Sequence, residues 1–275
     1  MQLLRQGCRR GLAALGLGAV VLAQQPAPVA SAAPALAPLP VCATTSDLAA
    51  ICREVGGGAV AVESFATGIE DPHFLDARPS AISRLNKARL LLVIGRELET
   101  GWLPVLLQNA RNPAVLVGGD GHFVAADHVR VLELPTGPVD RSQGDVHAGG
   151  NPHFLTDPLC GLQVAKALTK RLAAIDPQRA ADFENGFQAL RRKVAEAAVG
   201  AKVAERYGYD AEKLLVLLPG GKLEAVLKEQ GDLEALGGWA AALKGQRGAA
   251  VVADHNLWPY FAERFDLRVA AFLEP

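Results

Sequence analysis

Neither sign of charge is in excess in this sequence. It contains 28 lysines and arginines against 29 aspartates and glutamates, which gives a net charge of −1 at pH 7. Nucleic acids and anionic membrane surfaces attract strongly basic proteins, so the composition predicts neither partner. Hydrophobic residues make up 50% of the 275 residues. That is ample for the core of one large domain or two modest ones.

Cysteine is scarce, and its spacing matches no Cys-rich zinc site. The four cysteines are Cys8, Cys42, Cys52 and Cys160. Cys42 and Cys52 are the nearest pair outside the first residues. The first lies on a predicted strand and the second on the helix behind it, where Cα atoms are often too far apart to bridge. A Cys42–Cys52 disulfide therefore stays open, with buried free thiols as the alternative.

The sequence has no long hydrophobic run. The apolar stretch from Gly11 to Ala23 is too short to span a bilayer comfortably. Three arginines precede this run, and Ala30-Ser31-Ala32 follows it, which is the pattern of a signal peptide. We expect residues 1–32 to be a signal peptide, cleaved near Ala32, and the mature chain to be periplasmic. No cysteine directly follows this segment, so we expect no lipid anchor.

Short apolar segments alternate with helix-forming segments over residues 33–175. The strands are predicted at 41–44, 60–65, 90–94, 115–117 and 129–134, with helices at 46–55, 79–87, 100–109 and 158–174. Leu90 to Ile94 is wholly apolar, which is typical of a parallel strand covered on both faces. The alternation predicts an N-terminal lobe built on a parallel sheet.

A long polar segment, residues 176–207, follows that lobe. Asp176 can cap a helix and Pro177 suits the first helical position. Apolar residues then recur at steps of four and three, at Phe183, Phe187, Leu190, Val194 and Ala197. The pattern predicts one linking helix, with a surface helix of a single domain as the alternative. The remainder, 208–275, is predicted to be a second α/β lobe with strands at 249–253 and 268–272, too few for a complete lobe.

Three histidines occupy similar local settings. His73 and His153 each follow a proline in a predicted loop, and His255 lies where a predicted strand meets a helix. In open α/β sheets, ligands collect at the carboxyl ends of the strands. Histidines on separate elements can therefore converge on one ion. The pattern leaves two hypotheses, a shared metal site and unrelated loop histidines.

Several motifs together carry a family resemblance. They are Ala43-Thr44-Thr45-Ser46, Asp71-Pro72-His73-Phe74, Arg78-Pro79-Ser80, Glu99-Thr100-Gly101-Trp102-Leu103-Pro104, Gly144-Asp145-Val146-His147, Gly150-Asn151-Pro152-His153-Phe154, Asp157-Pro158, and His255 with Tyr260-Phe261-Ala262. In this order they cover most of the mature chain. With them the chain resembles the metal-specific (zinc or manganese) periplasmic solute-binding proteins of bacterial ABC transporters, the cluster A-I type.

The resemblance implies an α/β fold of two lobes, with parallel β-sheets flanked by helices and one long helix bridging them. It implies one ion in the interdomain cleft, held by His73, His153 and His255. Such a set suits Zn²⁺, with Mn²⁺ as the alternative. The implied function is capture of that ion and its delivery to an ABC transporter membrane permease. The protein would be a monomer and not an enzyme.

Three further residues lie near the expected site. His147 stands six residues before His153 in a glycine-rich loop, and it is a candidate accessory ligand or a solvated loop residue. Glu99 and Trp102 open a helix after a strand end. We expect them to support the ligands without contacting the ion.

Two departures from the family pattern stand out. The family's fourth ligand is an Asp or Glu well downstream of the third histidine, and we expect it to lie beyond Pro275. Glu274 is a poor substitute. In addition, the stretch between His153 and His255 is longer than usual, with the extra residues around Tyr209 to Trp239.

Two other functions are compatible with three histidines. One is an exported zinc hydrolase, with Glu99 or Glu274 as the base, although the sequence lacks the motif His-Glu-x-x-His. The other is a metal-dependent adhesin on the same fold.

Overall fold

The computed structural model describes residues 36–137 and 147–273. The predicted signal peptide, residues 1–32, lies outside these ranges, and so does Glu274. Within the two ranges, no helix combines the length and the apolarity needed to cross a bilayer.

A four-stranded parallel sheet organises the first part of the chain. Its strands are β1 (Leu39–Ala43), β2 (Val60–Ser64), β3 (Leu90–Val93) and β4 (His122–Val124), in the spatial order β2-β1-β3-β4. All four residues of β3 are buried. Leu90 and Leu92 belong to one apolar core and Leu91 and Val93 to another. The wholly apolar sequence of β3 is thus explained by cores on both faces of the sheet.

Helices α1 (Ser46–Gly56), α2 (Pro79–Lys87) and α3 (Leu103–Asn109) connect these strands. The side chain of Thr45 caps α1 by accepting a hydrogen bond from the Leu48 N–H at 3.4 Å. Pro79 occupies the first turn of α2, where its missing N–H costs nothing. The predicted parallel α/β lobe is therefore present, and α2 has the predicted bounds.

Two predicted strands of this lobe are wrong. Residues 113–115 form a 3-10 turn, because the Asn112 side chain donates to the Leu85 and Ala88 carbonyls at 2.8 and 2.7 Å and so bends the chain. The described part of segment 129–134 pairs with no strand. Its Leu132 N–H donates to the Tyr260 hydroxyl at 2.9 Å, so its backbone bonds are made outside the sheet.

The prediction of one helix over residues 176–207 is also wrong. The segment divides into a 3-10 turn at Pro177–Arg179, α5 (Ala180–Val199) and α6 (Ala201–Arg206). The break lies at Gly200, whose φ is 82°. A Cβ there would lie 2.9 Å from the Gly237 Cα. A close approach of two backbones therefore ends the helix, and the helical periodicity of the sequence gives no sign of it.

Helix α5 nevertheless packs on elements from both ends of the chain. It contacts α1 and α4 (Pro158–Ile175) on one side, and α7 (Ala211–Val216) and α9 (Gly238–Leu243) on the other. Phe183 and Phe187 of the predicted stripe are buried, whereas Leu190 and Val194 are partly buried against the same core. The first four positions of the stripe are thus correct, but Ala197 is outside the core, where Ala198 and Val199 are buried instead, and the helix is shorter than predicted.

The contact between α5 and α1 requires glycine at position 186. A Cβ on Gly186 would lie 2.1 Å from the Val55 carbonyl oxygen. We expect Gly186→Ala to destabilise the protein by about 1–3 kcal/mol in urea unfolding, because overpacking outweighs the gain in helix propensity. Gly161→Ala in α4, where a Cβ would meet nothing within 4 Å, should be neutral or stabilising. Equal effects of the two substitutions would contradict this packing.

The second part of the chain is mostly helical. After α7 come α8 (Lys222–Glu229), α9, β5 (Ala250–Ala253), α10 (Pro259–Arg264) and β6 (Arg268–Phe272), with β5 and β6 paired in parallel. Both strands match their predictions. The unusual segment Tyr209 to Trp239 buries Leu214, Leu223 and Leu227 in the same core as α5. It therefore extends that core.

Candidate metal centre

Three imidazoles meet at one point beside the sheet. His73 lies in the loop between β2 and α2, and His147 and His153 lie in the segment that leads into α4. One ligand atom from each lies within 4.8 Å of the others. The Nε2 atoms of His73 and His147 are 3.3 Å apart. Two nitrogens bound to one tetrahedral zinc at ~2.0–2.1 Å would be separated by about 3.3 Å. The spacing therefore fits a shared ion.

His255 approaches this group from the second part of the chain. It follows β5, and its ring centroid lies 6.4 Å from that of His153. The corresponding distances from His153 to His73 and His147 are 5.5 and 6.5 Å. The His153 ring thus lies within 6.5 Å of each of the other three, and His255 lies outside the tight group.

His73 is oriented from two directions. The Asp71 carboxylate accepts from the His73 backbone N–H at 2.9 Å and lies 2.7 Å from its Nδ1, so the other ring nitrogen points at His147. The Trp102 indole donates to the Pro72 carbonyl at 2.9 Å. A carboxylate on the second nitrogen is the usual support of a metal-binding imidazole. Asp71 thus supports both the backbone and the ring of His73.

Glu99 holds the strand ends beneath the site. Its carboxylate accepts from the Thr44 hydroxyl at 2.6 Å and from the backbone N–H groups of Ile94 and Gly95 at 2.7 and 3.1 Å. Burial raises the pKa of this carboxyl, whereas the hydrogen bonds lower it and the burial effect is larger. Glu99 thereby ties the carboxyl end of β1 to that of β3. Trp102, by contrast, acts on the loop that carries His73.

His153 is held by its own neighbours in sequence. The Asn151 side chain accepts from the His153 backbone N–H at 2.9 Å, and the Thr156 hydroxyl donates to the His153 carbonyl at 2.9 Å. Phe154 is fully buried, with its ring centroid 6.3 Å from that of Tyr260 in an edge-to-face arrangement. These contacts fix the turn that presents the imidazole.

The comparison with known proteins decides the family. The model of the ZnuA family, zinc-uptake complex component A, periplasmic, matches residues 41–206, which is more than half of the chain. The chain belongs to the ZnuA family.

Relatives in this family are described as metal-transport proteins. The manganese ABC transporter substrate-binding lipoprotein PsaA of Streptococcus pneumoniae is 28% identical over 197 residues, which is 70% of this chain and 59% of PsaA. The metal ABC transporter substrate-binding lipoprotein FimA of Streptococcus parasanguinis is 27% identical over 186 residues, 66% of this chain and 56% of FimA. The chain thus spans under two thirds of the length of these relatives.

A solved structure shows the same fold. The zinc-bound 138–173 deletion mutant of ZnuA superposes with a TM-score of 0.53 at 18% identity, over 86% of this chain and 72% of that one. The predicted α/β class is therefore confirmed.

The cysteines of the described residues take no part in the candidate site. Cys42, Cys52 and Cys160 are buried free thiols, so of the two alternatives for Cys42 and Cys52 the structure has the free thiols. Burial raises the pKa of each thiol to about 12, and a protonated thiol is a poor metal ligand.

The sequence did not predict two polar contacts that join distant segments of the chain. Asp157 caps α4 by accepting from the Leu159 N–H at 2.9 Å, and it also pairs with Arg264 at 2.9 and 2.7 Å. Glu133 accepts from Asn256 at 2.8 Å. The sequence contains no local signal for either pairing, because the partners are more than 100 residues apart.

Proposed function

We propose that this chain is the ion-capturing component of an ABC transporter. It is exported to the periplasm, binds Zn²⁺ between lobes comprising residues 33–175 and 208–275, and delivers it as a monomer to a membrane permease. The observation that carries the proposal is the group of three imidazoles whose ligand atoms lie within 4.8 Å of one another. Family membership and the names of the relatives support transport as the purpose of this binding.

In this proposal the ion is cargo, and four imidazoles surround it. His73, His147 and His153 form the tight group, and His255 completes the site next to His153. Imidazole nitrogens favour zinc, whereas manganese prefers oxygen ligands. We therefore propose Zn²⁺ as the main cargo, with Mn²⁺ as the alternative that the manganese relatives suggest.

The hydrolase and adhesin hypotheses receive no comparable support. The matched family and the relatives are substrate-binding proteins of transporters. The Glu99 carboxylate, one of the two bases named in the hydrolase hypothesis, is buried and accepts from three donors just beyond the ends of β1 and β3. We do not propose a catalytic role for it.

Zinc should stabilise the folded protein. An ion that binds only the native state raises the free energy of unfolding by about 2.7 kcal/mol when its free concentration is a hundred times Kd. We expect the melting temperature to rise with zinc concentration, and a chelator should reverse the rise. A parallel titration with Mn²⁺ ranks the two ions, and a panel of hydrolase substrates should give no turnover. An unchanged melting curve with zinc present would remove metal capture as the function.

A further inference from the structure

One exposed carboxylate joins the loops of two histidines. The Glu133 Oε2 atom accepts hydrogen bonds from the Asn151 side-chain amide at 2.9 Å and from the Asn256 side-chain amide at 2.8 Å. Asn151 lies two residues before His153, and Asn256 directly follows His255. A single oxygen therefore meets one residue beside each of two proposed ligands, and these ligands are far apart in the sequence.

The backbone at Glu133 is held in an unusual conformation. Its φ is +53°, in the left-handed region that residues other than glycine rarely adopt. The adjacent Leu132 is fixed on both sides, because its N–H donates to the Tyr260 hydroxyl at 2.9 Å and its carbonyl accepts from the Asn151 N–H at 3.0 Å. Strained conformations persist where surrounding contacts impose them, and they cluster at functional sites. Here the strain aims the Glu133 side chain between the two loops.

The Asn151 amide completes the connection. Its nitrogen donates to Glu133 and also to the Asn256 carbonyl at 3.0 Å, and its oxygen accepts from the His153 backbone N–H at 2.9 Å. Every hydrogen-bonding atom of this side chain is thus used in placing one histidine loop against the other. Removing the Glu133 carboxylate would leave one donor on each asparagine without this acceptor.

We propose that Glu133 is a positioning residue, which sets the distance of His255 from His153 without binding the ion. The inference rests on the proposed function, because it concerns the same metal site. A hydrogen-bond acceptor at position 133 holds the two loops in register. An uncharged acceptor of similar length should therefore hold them nearly as well.

The test compares Glu133→Ala with Glu133→Gln in the full chain. We expect Glu133→Ala to weaken zinc affinity about tenfold, the lower end of the range for residues that orient ligands, because Glu133 is exposed. The visible absorption spectrum of bound Co²⁺ should also change, since it reports ligand geometry. Glu133→Gln should keep both properties near those of the wild type, because its amide oxygen can accept from both asparagines.

A matched control separates positioning from general stability. Glu263 pairs with Arg130 on the surface and also bridges the two parts of the chain. Glu263→Ala should leave zinc affinity and the Co²⁺ spectrum unchanged. Asn256→Ala provides a second variant that removes one donor from the same carboxylate, and its effect should not add to that of Glu133→Ala.

Two results would overturn the inference. One is wild-type zinc affinity in Glu133→Ala. The other is an equal loss in Glu133→Gln and Glu133→Ala, which would show that the charge or direct ligation matters and not the hydrogen bonds. If the wild-type protein itself failed to bind zinc, the proposed function would fail instead, so the two failures are distinguishable.

Discussion

Zinc affinity should fall about a hundred- to a thousandfold when His153 is replaced by alanine. Structural zinc sites with four ligands bind with about 10–16 kcal/mol, which is about 2.5–4 kcal/mol for each ligand, and every 1.4 kcal/mol is tenfold in Kd. His153 should give the largest loss of the four, because its ring lies within 6.5 Å of each of the other three between centroids. Competitive titration against a chelator of known affinity measures the change.

The other histidines should rank by their place in the site. His73→Ala should approach the effect of His153→Ala, since its Nε2 lies 3.3 Å from that of His147. Comparing His147→Ala with His255→Ala then shows which of the two contributes more. His128 is a matched control, because it is exposed and stacks on Phe123 with ring centroids 4.8 Å apart. Wild-type affinity in His153→Ala would contradict the proposed ligand set.

The regular elements of this protein could be predicted where a local pattern determines them. The unbroken apolar run of β3 and the proline at the start of α2 each leave a signature that needs no tertiary information. The break at Gly200 is marked only by the glycine itself, and the close approach of Gly237 leaves no room for a side chain there. Likewise the false strand at 115–117 reflects the bonds of Asn112 to carbonyls 24 and 27 residues away. Tertiary contacts overrode local preference at both places.

In the candidate site, too, some residues could be predicted from local sequence and others only from the fold. His73, His153 and His255 follow turns or strand ends, so their settings can be recognised in the sequence. His147 could be recognised in the sequence as a candidate, but its position could not be predicted. That position depends on a turn in which the Gly150 N–H donates to the His147 carbonyl at 3.0 Å. Glu133 is separated by 123 residues from Asn256. Its role depends on how the segments that contain Glu133 and Asn256 pack together in the fold.

The ion pair between Asp157 and Arg264 should be the most costly polar contact to break. Both side chains are largely buried, with 6% and 13% of their surface exposed. The guanidinium makes two hydrogen bonds to the carboxylate and a third to the Leu215 carbonyl at 2.9 Å. The pair joins the start of α4, just after His153, to α10, just after His255. It therefore fixes the packing of the two elements that carry these histidines.

We expect Asp157→Ala to lower the free energy of unfolding by about 3–5 kcal/mol, because it leaves the Arg264 charge buried without its partner. Loss of the cap on α4 adds to this cost. Urea unfolding of the metal-free protein measures the effect. Replacing both residues together, as Asp157→Leu with Arg264→Met, should cost less than Asp157→Ala alone, since no buried charge then remains.

Glu63→Ala is the control, because its pair with Arg84 is exposed and should contribute at most about 1 kcal/mol. If Asp157→Ala cost no more than Glu63→Ala, the pair would not hold α10 against α4, and the register of His153 and His255 would have to depend on other contacts, such as those of Glu133 and Tyr260 with Asn151.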